Sequence, residues 1–233
     1  MNIELLERAA AALGELVDDV MFVGGATVEL WLTDPRAIDV RPTFDVDVVV
    51  EVTSRLAFHE FEAELRRRGF VEDQTSGVIC RWQHRAHDLT LDAMPARAEI
   101  LGFENQWQAA ALPHAVQREL PSGATIRAAP PPYLLAMKLE AFRGRGKGDF
   151  IASRDFEDIV TLLDRRPELV TELRTSDLDL RRYVAEVAQR LIGETRFADG
   201  IAAALPPDDA SQRRASDVIR PAFEALADLP RDV

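Results

Sequence analysis

The stretch "RPTFDVDVVVEV", residues 41 to 52, constrains the fold of this chain more than any other feature. Its valine run, residues 48 to 50, is β-branched and typical of a buried strand. Asp45 and Asp47 stand at the head of that strand, although carboxylates resist burial unless they are paired or bind a cation. Because side chains two residues apart on a strand share a face, the two carboxylates project together, about 7 Å apart along the strand.

Two like charges in this arrangement repel each other, and both resist ionisation unless a divalent cation lies between them. Mg²⁺ prefers one or two protein carboxylates together with water and phosphate oxygens, which such a pair could supply. An exposed pair of aspartates without a function would have the same spacing. The pair alone therefore leaves both interpretations open.

Two further features accompany the aspartates. Gly24 and Gly25, in "GGAT", follow the apolar run "VMFV" and precede a predicted helical turn. Backbone N–H groups of glycines can approach a phosphate without obstruction by side chains, although a plain strand-to-helix turn also uses glycine. Asp92, in "LTLDAMP", lies near the end of another apolar strand, so three carboxylates on neighbouring strand ends could hold two cations.

Charge and cysteine content exclude several classes of protein. The formal net charge of −12 argues against a protein that coats itself with nucleic acid, while leaving room for a local basic groove such as "RGRGKG" at 143–148. The single cysteine, Cys80, excludes an intrachain disulfide framework and a multi-cysteine metal site, and it is predicted to be a small buried residue.

Targeting signals are not recognisable. No apolar stretch approaches the roughly 20 residues that span a bilayer, and the N-terminal residues contain acids without a basic region of the kind that opens a signal peptide. We therefore expect no membrane association and a cytoplasmic location.

The pattern of elements predicts an α+β fold. Predicted strands and helices alternate up to about residue 130, and only helical patterns follow Ser153. We predict a mixed β-sheet core with flanking helices in residues 1–130 and a helical C-terminal part in residues 131–233. The main elements expected are helices at 2–17, 54–69 and 129–142, and strands at 20–23, 45–50, 78–84, 88–94 and near 125–129.

Four of these pieces together resemble a known family. "GGAT" at 24–27, "RPTFDVD" at 41–47 and "LDAMP" around Asp92 resemble the polymerase-β-like nucleotidyltransferases. The helix "YLLAMKLEAFRGRGKGD" followed by "SRDFEDIVTLLD" is similar to the branch that contains AbiEii and MenT-type toxins. The resemblance spans roughly residues 20 to 165, and the order and spacing of the pieces make it more specific than any one of them.

This resemblance implies a nucleotidyltransferase core and the transfer of a nucleoside monophosphate from an NTP, dependent on Mg²⁺ or Mn²⁺. The implied ligands of the cations are Asp45, Asp47 and Asp92, and Asp92 would also help to ionise the acceptor hydroxyl. The implied binding site for the β- and γ-phosphates consists of Gly24, Gly25 and Thr27, with Thr43 supporting it.

Two later positions take roles from the resemblance alone. Lys138 is similar to a lysine of the branch that neutralises triphosphate charge, whereas without the resemblance it would be read as a solvated helix lysine. Helical spacing does place it on or at the edge of the apolar face of its helix. Either Asp155 or Asp158, in "RDFED", matches a later functional acid, although acids in a first helical turn are also favoured by the helix dipole.

For the acceptor, the resemblance implies an RNA such as tRNA, in a toxin or phage-defence setting with a cognate antitoxin as a candidate partner. In the residues themselves only "RGRGKG" favours RNA. Two alternatives stay open: transfer to a protein or a small molecule such as an antibiotic, and a catalytically silent nucleotide-binding module. The presence of all three aspartates counts against the silent module.

Overall fold

The computed structural model describes residues 1–34, 40–102, 105–144, 146 and 148–232. The chain forms two compact units, which are Met1–Leu30 with Arg41–Pro130, and Trp31–Val40 with Pro131–Val233. The first contains a mixed sheet with flanking helices and the second is helical in its described part, which confirms the predicted α+β class.

Within the described residues, seven strands of the first unit form one mixed sheet. They are β1 (Val20–Val23), β2 (Val46–Val50), β3 (Val71–Glu72), β4 (Arg81–His84), β5 (Leu89–Pro95), β6 (Val116–Glu119) and β7 (Thr125–Ala128). Their order across the sheet is β3-β4-β5-β2-β1-β7-β6. β2 runs parallel to β5 and β1 parallel to β7, and the other neighbouring strands are antiparallel. The valine-rich β2 therefore lies between two other strands in the interior of the sheet, in agreement with the buried strand that its sequence predicts.

The helices of the first unit are α1 (Asn2–Leu13), α2 (Arg55–Arg67), α3 (Ala98–Leu101) and α4 (Gln106–Ala111). α1 packs against β2 and β5. α2 begins and ends as its sequence predicts: Ser54 Oγ accepts the N–H of Ala57 at 3.1 Å, and Gly69 beyond its end has a φ of +91°. The strands expected at 78–84 and 88–94 form the antiparallel pair β4 and β5, joined by a 3₁₀ turn at Arg85–His87, although β4 begins only at Arg81 because residues 79 and 80 form a turn.

Two local differences from the sequence-based prediction have physical causes. The first helix ends at Leu13 rather than near residue 17, because Gly14 adopts a φ of +55° and a 3₁₀ helix, Gly14–Asp19, follows. The helical turn predicted after Gly24 is present as a 3₁₀ helix, Gly25–Trp31. β6 was not predicted, since all four of its side chains are exposed and leave no alternation of apolar and polar residues.

The helices of the second unit are α5 (Pro131–Arg143), α6 (Arg154–Arg165), α7 (Leu169–Arg174), α8 (Leu178–Ile192), α9 (Phe197–Ala203), α10 (Asp209–Arg214) and α11 (Arg220–Ala227). α5 packs against α6 and α8, and α8 against α11. Their core includes an aromatic cluster in which the ring centroids of Phe142 and Phe150 each lie about 5 Å from that of Phe156.

In the described part of the chain, no helix combines the length and the apolar character needed to cross a bilayer.

Candidate active site

Three carboxylates share one face of the sheet in the first unit. Asp47 of β2 is the direct partner of Asp92 in the parallel strand β5. Asp45 lies two residues before Asp47 and thus on the same side of the strand. On the other side of β2, Asp47 is paired with Val23, the residue that precedes the Gly24 turn. The register thus brings Asp45, Asp47 and Asp92 together beside this turn.

The Gly24 turn is closed from within and lies against Asp47. Gly24 has a φ of +76°, and a Cβ built on it would overlap the carboxylate of Asp47. Thr27 donates both its hydroxyl, at 2.9 Å, and its backbone N–H, at 3.3 Å, to the Gly24 carbonyl oxygen. Thr27 is fully buried and Gly25 is buried beside it. In this structure the Thr27 hydroxyl shapes the turn, and phosphate binding by Gly24, Gly25 and Thr27 stays a prediction.

Asp45 is held by a chain of hydrogen bonds that starts in α1. The Thr43 hydroxyl donates to Asp45 Oδ1 at 3.0 Å, and the Thr43 N–H donates to Asn2 Oδ1 at 3.1 Å. The Asn2 amide in turn donates to the Arg41 carbonyl oxygen at 3.1 Å, and Asn2 is buried. Sequence reasoning missed Asn2, because nothing in the sequence around it indicates the distant segment that it fixes.

Arg81 joins two of the three carboxylates, and the sequence analysis did not single it out. It is the cross-strand partner of Asp92, and its Nε and Nη2 each donate to one Asp92 oxygen at 2.8 Å. Nη2 also donates to Asp45 Oδ2 at 2.7 Å. The hydrogen bond to Asp92 is the main cause of a raised pKa of the Arg81 guanidinium, so this positive charge is fixed at the site.

Burial and nearby negative charge both affect the pKa of the Cys80 thiol. Burial raises the pKa of its thiol to about 12, and the charges of Asp92 and then Asp47 add to the effect. The thiol therefore stays protonated near neutral pH and is a poor nucleophile. Its burial confirms the expectation of a small apolar core residue.

The donor set suits a hard divalent cation. Carboxylate oxygens are the ligands that Mg²⁺ and Mn²⁺ prefer, and two of these carboxylates already meet at one positively charged nitrogen, Arg81 Nη2. As the carboxylates stand, no group of three or more His, Cys, Asp or Glu side chains among the described residues is arranged to hold a metal ion. The three aspartates thus have the chemistry to bind a cation, and in this structure the Arg81 guanidinium lies between the carboxylates of Asp45 and Asp92.

In the second unit, the structure brings together the predicted lysine and both candidate acids. Lys138 of α5 is 5% exposed, and its Nζ lies 2.6 Å from Asp158 Oδ2 and 3.2 Å from Asp155 Oδ1 of α6. Both carboxylates are buried as well. Lys138 thus lies on the packed face of its helix, as helical spacing predicts.

The basic stretch "RGRGKG" begins at the end of that helix. Arg143 is the last residue of α5. Arg145 and Lys147, which contribute most to the predicted basic groove, lie outside the described residues.

Comparison with known proteins gives a family model and solved structures that match nearly the whole chain. A family model described as nucleotidyl transferase AbiEii toxin, type IV toxin–antitoxin system, matches residues 4–229. Among solved structures, JHP933 from Helicobacter pylori is 11% identical, with 97% of this chain and 91% of that chain covered and a TM-score of 0.49. A Helicobacter pylori protein described as a nucleotidyltransferase candidate is 10% identical, with coverage of 95% and 92% and a TM-score of 0.43. No curated protein matches with significance.

Proposed function

The chain belongs to the AbiEii family of nucleotidyl transferase toxins of type IV toxin–antitoxin systems, and we propose that its acceptor is a hydroxyl group of an RNA such as tRNA. In this proposal a nucleoside monophosphate is moved from an NTP in the presence of Mg²⁺ or Mn²⁺. The observation that carries the metal-dependent transfer is the pairing of Asp47 with Asp92 across β2 and β5, with Asp45 on the same face. A cytoplasmic location and an antitoxin partner fit this setting.

We assign cation binding to Asp45, Asp47 and Asp92. A divalent cation bound there would neutralise charge on the triphosphate and favour ionisation of the acceptor hydroxyl. The acceptor oxygen forms a bond to the α-phosphorus, the bond from that phosphorus to the bridging oxygen of the β-phosphate breaks, and pyrophosphate leaves. Asp92, which is largely buried, would assist removal of the hydroxyl proton.

Positioning would come from neighbouring groups. The Gly24–Gly25 backbone would bind the β- and γ-phosphates, and Thr43 would keep Asp45 in place through the hydrogen bond at 3.0 Å. We assign to Lys138 the neutralisation of triphosphate charge. Asp155 and Asp158 fix its ammonium group, and we propose that Asp158, at 2.6 Å, is the more important of the two acids.

An exposed aromatic ring supports a nucleic-acid acceptor. Phe44 is 76% exposed, although its neighbours Thr43 and Asp45 are hydrogen-bonded to each other. Its backbone is thus held in place while its ring faces solvent next to a proposed catalytic carboxylate. Stacking of an unpaired base on such a ring contributes about 1–3 kcal/mol and requires no particular base.

The direct test is incubation of the protein with each NTP labelled at the α-phosphate, Mg²⁺ and total RNA. We expect label in RNA with the wild-type protein and none with Asp47→Asn. Asp88→Asn is a matched control, because it makes the same chemical change at an exposed aspartate in the left-handed conformation that asparagine tolerates. Label recovered in protein or in an added antibiotic would instead support the alternative acceptors, and no label anywhere would indicate a silent module.

A further inference from the structure

The Arg81 guanidinium lies between the Asp45 and Asp92 carboxylates, where the proposed cation would also bind. We infer that Arg81 is an internal counter-cation that stabilises the metal-free protein and competes with the divalent cation for the same oxygens. This inference rests on the proposed metal dependence and adds a residue that controls it.

The geometry of the three residues is that of a fitted ion pair rather than a chance surface contact. Arg81 Nε and Nη2 each donate a hydrogen bond to Asp92 at 2.8 Å, and Nη2 also donates to Asp45 at 2.7 Å. The antiparallel register of β4 and β5 places Arg81 directly opposite Asp92, so the backbone itself delivers the guanidinium to this position. Such bidentate contacts are stronger and more specific than a single hydrogen bond.

Arg81 solves an electrostatic problem for the metal-free protein. Three carboxylates on one face repel each other, and the Asp92 side chain is only 10% exposed, so water screens its charge poorly. The guanidinium balances part of this charge and lets the site fold without a metal. Without Arg81 the metal-free protein should therefore be less stable.

The hydrogen bonds of Arg81 to Asp45 and Asp92 also oppose binding of the cation. Oxygens that accept hydrogen bonds from Arg81 must give up those bonds before they coordinate a metal, and a guanidinium left beside the metal repels it. The apparent affinity for a cation equals the intrinsic affinity multiplied by the fraction of molecules in which these oxygens are free of Arg81. Binding of the cation without nucleotide should thus be weak in the wild-type protein. An NTP would reverse this, because it adds phosphate oxygens as ligands and offers the displaced guanidinium an anion.

The test compares Mn²⁺ binding and thermal unfolding in the wild type and in Arg81→Met. In EDTA, Arg81→Met should lower the Tm by roughly 5 °C or more. By titration calorimetry without nucleotide, the same variant should bind Mn²⁺ about 10-fold or more tightly than the wild type. Arg127→Met is the matched control, since Arg127 is also a sheet arginine of the first unit and pairs with a different acid, Glu51, at 3.1 Å. It should leave the Mn²⁺ affinity unchanged.

The outcomes separate this inference from the proposed function. If the wild type binds Mn²⁺ and Arg81→Met binds it no more tightly, Arg81 is not a competitor and the inference is overturned. If neither protein binds Mn²⁺, even with a non-hydrolysable NTP, the metal site itself is wrong. Should Arg81→Met fail to fold, Arg81→Lys decides the question: lysine cannot make the two-point contact with Asp92, so its Mn²⁺ affinity should still rise, and an unchanged affinity would contradict the inference.

Discussion

The carboxylate of Asp47 lies in the space that a side chain at residue 24 would need, so the Gly24 turn and the aspartate strand fit together only because residue 24 is glycine. Two requirements meet at this position. The φ of +76° is strained for other residues, and a Cβ would overlap Asp47. The glycine therefore leaves the space that the Asp47 carboxylate occupies.

Gly24→Ala should abolish nucleotide transfer and lower the free energy of unfolding by about 1–3 kcal/mol, because it adds backbone strain and displaces Asp47. Gly77→Ala is the matched control: Gly77 has a similar φ of +73°, but nothing lies within 4 Å of a Cβ there. Urea unfolding and transfer assays on both variants separate the two effects. Equal loss of activity in both would show that the contact with Asp47 is irrelevant.

The shorter of the two Lys138 contacts should matter more. Asp158→Asn removes the charge 2.6 Å from the ammonium group and should lower the free energy of unfolding by about 1–3 kcal/mol and strongly reduce transfer. Asp155 lies 3.2 Å from the ammonium group, so Asp155→Asn should cause a smaller loss of unfolding free energy and a smaller loss of transfer activity. Chemical denaturation and rates of transfer provide the measurement. The opposite ranking would make Asp155 the functional acid.

Phe44→Ala should weaken the use of RNA without affecting the fold. Loss of a stacking surface should raise the KM for the RNA acceptor about 10-fold, while the Tm and the KM for the NTP stay near those of the wild type. Leu56→Ala is the control, because Leu56 is a similarly exposed apolar residue, 70% against 76%, located on α2. If both variants behave alike, the ring has no role in acceptor binding.

Cys80 gives a prediction about pH. The native protein keeps the thiol proton up to a pKa of about 12, whereas the unfolded chain releases it from its ordinary pKa of 9.0. Above pH 9 the unfolded chain thus binds fewer protons than the native protein, so the free energy of unfolding falls as pH rises, by about 1 kcal/mol per pH unit. Urea unfolding between about pH 8 and pH 10 should show this fall in the wild type. Cys80→Ala should show a shallower fall, and equal slopes would refute the assignment.

Much of the sheet could be predicted because its strands carry their signal locally. The valine run of β2, the apolar β1 and the capped α2 each have a pattern that needs no knowledge of the rest of the fold. β6 has no such pattern, since its side chains are all exposed and only its pairing with β7 makes it a strand.

The limits of prediction at the site have the same cause. Asp45, Asp47 and Asp92 could be selected from the sequence because they interrupt or end apolar strands. Arg81 and Asn2 act through residues far away in the chain, so their roles depend on register and packing. A tight turn at residues 85 and 86 would have set Arg81 opposite Thr90, whereas the observed pairing of His84 with Leu89 sets Arg81 opposite Asp92.

Transfer of a nucleotidyl group by the site of the three carboxylates is tested most directly by the position of the label in the NTP. The protein would be incubated with Mg²⁺, RNA and either an α-phosphate-labelled or a γ-phosphate-labelled NTP. Label from the α-phosphate should enter RNA with the wild type and not with Asp47→Asn, and label from the γ-phosphate should leave as pyrophosphate. Transfer of the γ-label to RNA would exclude nucleotidyl transfer, and equal α-label transfer by Asp47→Asn would exclude a role for this carboxylate.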